Sequence, residues 1–290
     1  MKHHTEKIRQ EIDDLNCIIK FLAKRDLEDL TSEALFRHRG IRQADRLILL
    51  GGITTPDFAD IAAHSFKQGV VTGLMVVGGT GHSTQNLRNN ITAHPLYGTV
   101  KTTGQPEADM LYDILVNFHG IRRDAIVVEN KSTNCGNNAS YALESVRSIS
   151  SVPKFAIILQ DPIMERRTYE AFLHEWRTEQ TIFDCFAPVI PLLEFQAQKI
   201  VFQDATYGQY YNMNGFLDLV MGEIPRLRDD ENGYGPKGHG FFGHVDIPEP
   251  VLIAFERLIR KYPHHVRPKI TECRNIENVN TKGLKNKSAP

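Results

Sequence analysis

Leu74-Met-Val-Val-Gly-Gly-Thr-Gly-His-Ser-Thr84 is the stretch that most limits what this chain can become. Four apolar residues run into Gly78 and Gly79, then Gly81, His82 and two hydroxyls. A short apolar run closed by glycine reads as a parallel strand covered on both faces, because such a strand has no wet side to alternate with. The pattern recurs. Leu47–Leu50 precedes Gly51 and Gly52, Ala125–Val128 precedes Glu129, Phe155–Leu159 precedes Gln160 and Asp161, and Ile182–Phe186 is a fifth run. Helices are predicted between them over 57–67, 87–93, 106–118, 137–148 and 162–177, with Pro106 in a favoured first-turn position. Strands alternating with helices predict a Rossmann-like α/β domain over 41–190, a doubly wound parallel sheet with helices on both faces. Right-handed crossovers gather the strand-to-helix loops on one edge, where open α/β sheets bind ligands.

The flanks have another texture. Ile8, Ile12, Leu15, Ile19 and Leu22 repeat at helical spacing, so residues 1–40 read as a helical segment, with a second helix over 27–38 ended by Gly40. After Pro188 a smaller C-terminal lobe is predicted over 191–265. It holds helical structure over 191–222, a Gly-rich loop at 233–240 and a last helix over 249–261. Residues 266–290 read as a polar tail.

Composition excludes several classes. Lys+Arg 34 balances Asp+Glu 35, which removes the basic footprint of a nucleic-acid binder. No apolar run approaches the ~18 residues of a membrane span. The start, Met1-Lys-His-His, lacks an apolar signal core. Cys17, Cys135, Cys185 and Cys273 are scattered without a CxxC, so neither a metal knot nor a disulfide framework is predicted. A reducing, cytoplasmic setting and a small-molecule partner are the expectation; nothing in the chain indicates an oligomeric state.

The predicted common edge collects the residues able to do chemistry. The first loop offers Gly51, Gly52, Thr54 and Asp57. The second offers Gly78, Gly79, Gly81, His82 and Ser83. Thr102-Thr-Gly-Gln-Pro-Glu107 enters a helix, Glu129 to Asn138 forms a third loop with Ser132 and Asn134, and Gln160 to Arg167 a fourth. Helix N-termini converging there favour an anion. Each residue also has a plain reading: Asp161, Thr103 and Asn134 as helix caps, Glu107 as a complement to a helix dipole, the arginines as surface charge. Cys135 reads either as a small buried filler or, with His82, as a nucleophile. Named motifs fail. Gly78-Gly-Thr-Gly81 is not G-x-G-x-x-G, and there is no P-loop, G-x-S-x-G or HExxH. Arg228 to His239 imitates a calcium loop but begins with the wrong ligand.

These residues resemble the SanA/ElyC/YdcF group of bacterial α/β proteins. The shared frame is Gly51-Gly52, Gly78-Gly79, Glu107-Ala108, Glu129, Ser132, Asn134, Asn138-Ala139 and Arg167. Cys135 stands where the group has Thr, Asn137 where it has Glu, and Met164 where it has His. With Gly222 to Pro236, these features resemble the YdcF branch, over roughly residues 45–250. The resemblance implies a Rossmann-like fold with a smaller helical C-terminal part, and S-adenosylmethionine as a candidate ligand; it supplies no reaction. Two functions follow as expectations. One is a small-molecule binding protein whose pocket at the strand ends uses the residues above. The other is a transferase or hydrolase acting on a nucleotide-like or phosphorylated substrate, with Glu107 or Glu129 as base and Arg167 holding an anion. Residues 222–246 are predicted to cover the pocket, with Arg226 or Arg228 anchoring ligand or loop; Arg–Asp pairs pinning the loop to the core are the alternative.

Overall fold

The computed structural model describes residues 2–149, 152–205, 207–209 and 211–266. Apart from Val266, the tail expected over 266–290 lies outside them, as does Cys273. Five strands form one all-parallel sheet: β1 (Arg46–Leu50), β2 (Leu74–Val77), β3 (Ile126–Glu129), β4 (Phe155–Leu159) and β5 (Ile182–Cys185), in the order β3-β2-β1-β4-β5. The helices on the chain are α1 (Lys2–Leu22), α2 (Ser32–Arg39), α3 (Phe58–Lys67), α4 (Thr84–Ala93), α5 (Glu107–Asn117), α6 (Cys135–Ile149), α7 (Glu165–Glu175), α8 (Met213–Leu227) and α9 (Glu249–Lys261). The doubly wound α/β architecture is therefore as the strand runs required.

Successive side chains of a strand point to opposite faces, and here both faces are dry. Ile48, Leu50, Met75, Val77, Ala156 and Ile158 pack into one core with α1, α6, α7, α8 and α9. Leu47, Leu49, Leu74, Val76, Ile157 and Leu159 pack into the other with α3 and α5. Nearly all of these side chains are fully buried, so the runs carry no polar alternation. The amphipathic α1 spends its apolar stripe on the first core: Leu15, Ile18, Ile19 and Leu22 have no exposed surface. Its polar face ties it to α9 through Arg257 Nε, 2.8 Å from Asp14, and through Lys261 and Tyr262 on Glu11. The N-terminal and C-terminal helices thereby close over one face of the sheet together.

The helix predicted over 191–222 forms only in its last part, as the start of α8, and the rest is a correction. Residues 193–202 form an antiparallel hairpin, β6 (Leu193–Gln196) with β7 (Lys199–Phe202). Its two-residue turn is Ala197-Gln198, with φ of 49° and 64°. Such turns ordinarily announce themselves with Asn-Gly or Gly, because only those residues take left-handed φ cheaply. Ala-Gln hides the turn, and the strands then look like a polar helix. The hairpin is held to α1 by Asn16, whose side chain accepts from Leu193 N at 2.8 Å and donates to Leu193 O at 2.9 Å, as a neighbouring strand would. The second helix is shorter than predicted: Thr31 caps it through the Ala34 amide, and Gly40 ends it at φ 73°.

No described helix is long and apolar enough to cross a membrane.

Candidate functional site

All five strands end on one edge, and the candidate residues lie in the loops that leave it. The structure divides them into four groups, each organised around a buried carboxylate or a charged pair.

Glu107, the first residue of α5, is 5% exposed and reaches into the loops after β1 and β2. Its Oε2 accepts from Gly52 N at 2.6 Å; its Oε1 accepts from Thr84 Oγ1 at 2.7 Å and Ser83 Oγ at 3.3 Å. The glycines exist for this contact. A Cβ on Gly51 would lie 2.3 Å from Glu107 Oε2, and one on Gly79 would lie 2.1 Å from the Ser132 carbonyl oxygen. The close backbone approach expected for a ligand is therefore used by the chain itself. The first amides of α5 are spent the same way, Glu107 N on Gly79 O and Ala108 N on Gly78 O, each at 2.8 Å. Burial raises the Glu107 pKa, opposed by the hydrogen bonds from Thr84, Gly52 and Ser83.

Glu129 does the same for the third loop. Its Oε1 accepts from Lys131 N at 2.6 Å and Ser132 N at 2.9 Å, and its Oε2 accepts from Ser132 Oγ at 2.6 Å. Ser132 Oγ in turn accepts from Gly79 N at 3.1 Å, stitching the second and third loops together. Glu107 and Glu129, expected as bases, are turned inward onto loop backbone. In this structure the two carboxylates hold the amides and hydroxyls of the loops around them.

Across β1, Asp161 is wholly buried at the end of β4. Its Oδ1 accepts from Ile163 N at 3.0 Å, the cap-like contact the sequence suggests, two residues before α7 begins. Its Oδ2 accepts from Tyr211 Oη and from Tyr207 Oη at 3.3 Å. The two tyrosine rings stack with centroids 5.2 Å apart. Burial pushes the Asp161 carboxyl up to about 6; the Tyr211, Ile163 and Tyr207 hydrogen bonds pull it back, and Glu223 adds to the rise. One turn further on, Glu165 is also wholly buried, and desolvation raises its pKa well above the usual carboxylate value.

Arg167, on α7, forms a fork with Glu223 of α8: Nε to Oε2 at 2.6 Å and Nη2 to Oε1 at 3.1 Å. Arg226 Nη1 donates to the same Oε1 at 2.9 Å and to Gly222 O at 2.8 Å. Glu223 has no exposed side-chain surface, so both arginines share one buried acid. Above them the Gly-rich segment is compact. Tyr234 N donates to Arg226 O at 2.8 Å, Phe241 N to Tyr234 O at 2.9 Å, and Phe242 is fully buried. Phe241 lies on Gly136 at the start of α6, where a Cβ would stand 2.9 Å from its ring. The segment thus reaches the strand edge, as a covering loop must, but it is packed there, and its glycines allow tight backbone contact such as Gly238 on Gly233. No Arg–Asp pair pins it among the described residues. Asp229 instead takes Lys237 N at 2.9 Å and His244 Nδ1 at 3.2 Å. Arg228, expected to meet a ligand, lies with its guanidinium 5.2 Å from the centre of the Phe255 ring of α9.

The remaining candidates are peripheral. His82 is exposed. Gly81 N donates to Thr84 Oγ1 at 2.8 Å, Asn134 caps α6 by accepting from Asn137 N at 2.9 Å, and Asn138 N donates to the Asn134 carbonyl at 2.9 Å. Cys135 is buried as the first residue of α6.

Between α4 and α8 lies a cleft of ≈ 250 Å³, lined by Thr54, Asn86, Asn89, Asn90, Tyr211 and Asn212, with Gly215. Asn90 Nδ2 donates to Thr54 O at 2.6 Å, which fixes the floor. Asn212 accepts from Gly215 N at 2.8 Å as the cap of α8. Sequence reading missed this amide wall and also Glu223, Tyr207 and Tyr211. Asparagines on a helix look like solvated surface, and the partner of Glu223 lies 56 residues away. The local spacing of Glu223 and Arg226, three apart, was the one signal available. No family model matches the chain.

Proposed function

We propose that the protein is a binding protein for a small polar metabolite, held at the carboxyl edge of the sheet in the cleft between α4 and α8. The observation that carries this is the cleft's lining of amides and hydroxyls, which includes no charged side chain. Amides and hydroxyls pair with the hydroxyls of a sugar or the edge of a base and need no counter-charge. The resemblance to the SanA/ElyC/YdcF group, which we propose as kinship, makes S-adenosylmethionine the candidate ligand. The fit favours its uncharged adenosine half: ≈ 250 Å³ is slightly below the ~300–1,000 Å³ of ordinary ligand pockets. The ligand's charged end then extends beyond this lining.

A second reading, an enzyme on a nucleotide-like substrate, has one observation in its favour. Tyr211 lines the cleft and donates to Asp161, whose carboxyl titrates at about 6. Burial and Asp161 raise the Tyr211 pKa well above its usual value, so in this reading the phenol stays protonated as a hydrogen-bond donor and Asp161 is the group that exchanges a proton.

Titration calorimetry with S-adenosylmethionine and with adenosine tests the binding reading. Saturable binding of both is expected, weakened about 5–10-fold by Asn86→Ala through loss of one hydrogen bond. No binding of either, or affinity indifferent to Asn86, overturns the cleft assignment. Mass spectrometry of the ligand after incubation with a metabolite pool separates the two readings: recovered ligand supports binding, and a new product supports the enzyme.

A further inference from the structure

The Arg167–Glu223–Arg226 cluster has more positive charge than its contacts absorb. Two guanidinium groups meet one carboxylate. Burying charge without compensation is expensive, so a surplus cation favours an anion where its donors stay open. No other carboxylate forms an ion pair with either arginine among the described residues. Asp161, the next acid inward, is directed to Tyr207, Tyr211 and the Ile163 amide. Asp229 of the overlying segment is directed to Lys237 and His244.

The donors left over are also specific. Arg167 spends Nε and Nη2 on Glu223, and Arg226 spends Nη1 on Glu223 and Gly222. Arg167 Nη1 and Arg226 Nε and Nη2 form no hydrogen bond among the described residues. The two side chains keep 13% and 11% of their surface exposed. Glu223 holds both guanidinium groups by the same carboxylate and so fixes their spacing. Tyr234 stands over them, its amide on the Arg226 carbonyl, and both Tyr234 and Cys135 lie within electrostatic reach of Arg167. Paired planar forks match an anion with two or more oxygens.

We infer that Arg167 and Arg226, positioned by Glu223 beneath Tyr234, form a binding subsite for a carboxylate or phosphate group. This goes beyond the cleft reading and stands on different residues. It is linked to the cleft through Asp161, which bonds to the cleft residue Tyr211 and lies within electrostatic reach of Glu223. A ligand spanning both sites would place an uncharged, nucleoside-like part against the amides and an anionic part against the arginines.

The test uses the full chain with two probes, inorganic phosphate and acetate, at constant ionic strength, followed by titration calorimetry and thermal melting. Saturable binding of at least one probe is expected. Arg226→Gln is expected to weaken it at least ~10-fold, the loss of one charged hydrogen bond. Glu223→Gln removes the acid's charge and turns an amide N–H toward an arginine donor, so it is expected to loosen the fork, lower the melting temperature and weaken anion binding ~10-fold. A purely structural ion cluster gives the lower melting temperature with anion binding unchanged. Asn86→Ala is expected to leave phosphate and acetate binding unchanged, which separates failure of this subsite from failure of the cleft. Absence of binding by both probes, or binding indifferent to Arg226→Gln, overturns the inference. If Glu223→Gln fails to fold, Arg226→Gln decides alone.

Discussion

Replacing Asp161 with Asn is expected to stabilise the protein at alkaline pH and to change little in acid. The carboxyl is wholly buried, and burial pushes its pKa from 3.8 to about 6. A rise of roughly two units corresponds to about 3 kcal/mol between the protonated and ionised forms. The sign follows from the direction. A folded pKa above the unfolded one means the contribution to stability is complete below about pH 4 and is lost as pH climbs through about 6. Asn keeps a carbonyl to accept from Ile163 N and presents its amide N–H to Tyr211 Oη, as the protonated carboxyl presents its O–H, but it cannot ionise. Urea unfolding of both proteins at intervals from pH 4 to pH 8 measures the effect. Wild-type stability minus that of Asp161→Asn should fall by about 3 kcal/mol across this range. Parallel curves would refute the claim that desolvation outweighs the tyrosine hydrogen bonds at this carboxylate.

Two further outcomes follow from geometry alone. Gly51→Ala places a methyl group 2.3 Å from Glu107 Oε2, so it should cost about 1–3 kcal/mol in chemical denaturation by prising apart the first two loops; wild-type stability would show that Glu107 is free to move. Ala197→Asn with Gln198→Gly supplies the residues that the left-handed turn between β6 and β7 prefers. A gain of about 1 kcal/mol is expected, read as a higher melting temperature, and a loss would mean that this turn is not left-handed in solution.

The chain announces its sheet because burial on both faces forbids polar residues in the strands. Leu47–Leu50, Leu74–Val77 and Phe155–Leu159 are legible for that reason, and the glycines after the first two mark where the backbone must turn under a neighbour. Parallel strands with short loops then gather the candidate loops on one edge, so that edge was also legible. The roles of its residues were not. The sequence offers Glu107 and Glu129 as bases, and only their contacts with Gly52, Thr84 and Ser132 show that they hold loops. The hairpin at 193–202 escaped because Ala197 and Gln198 adopt backbone angles their side chains disfavour, which the surrounding packing imposes. The Asp161–Tyr211 and Arg167–Glu223 pairs join residues 50 and 56 positions apart. Local patterning reports what a residue needs from water and from its own turn of chain. Which buried acid receives which partner is decided when the C-terminal segment folds back over the strand ends, because only then are those charges removed from water and obliged to find one another.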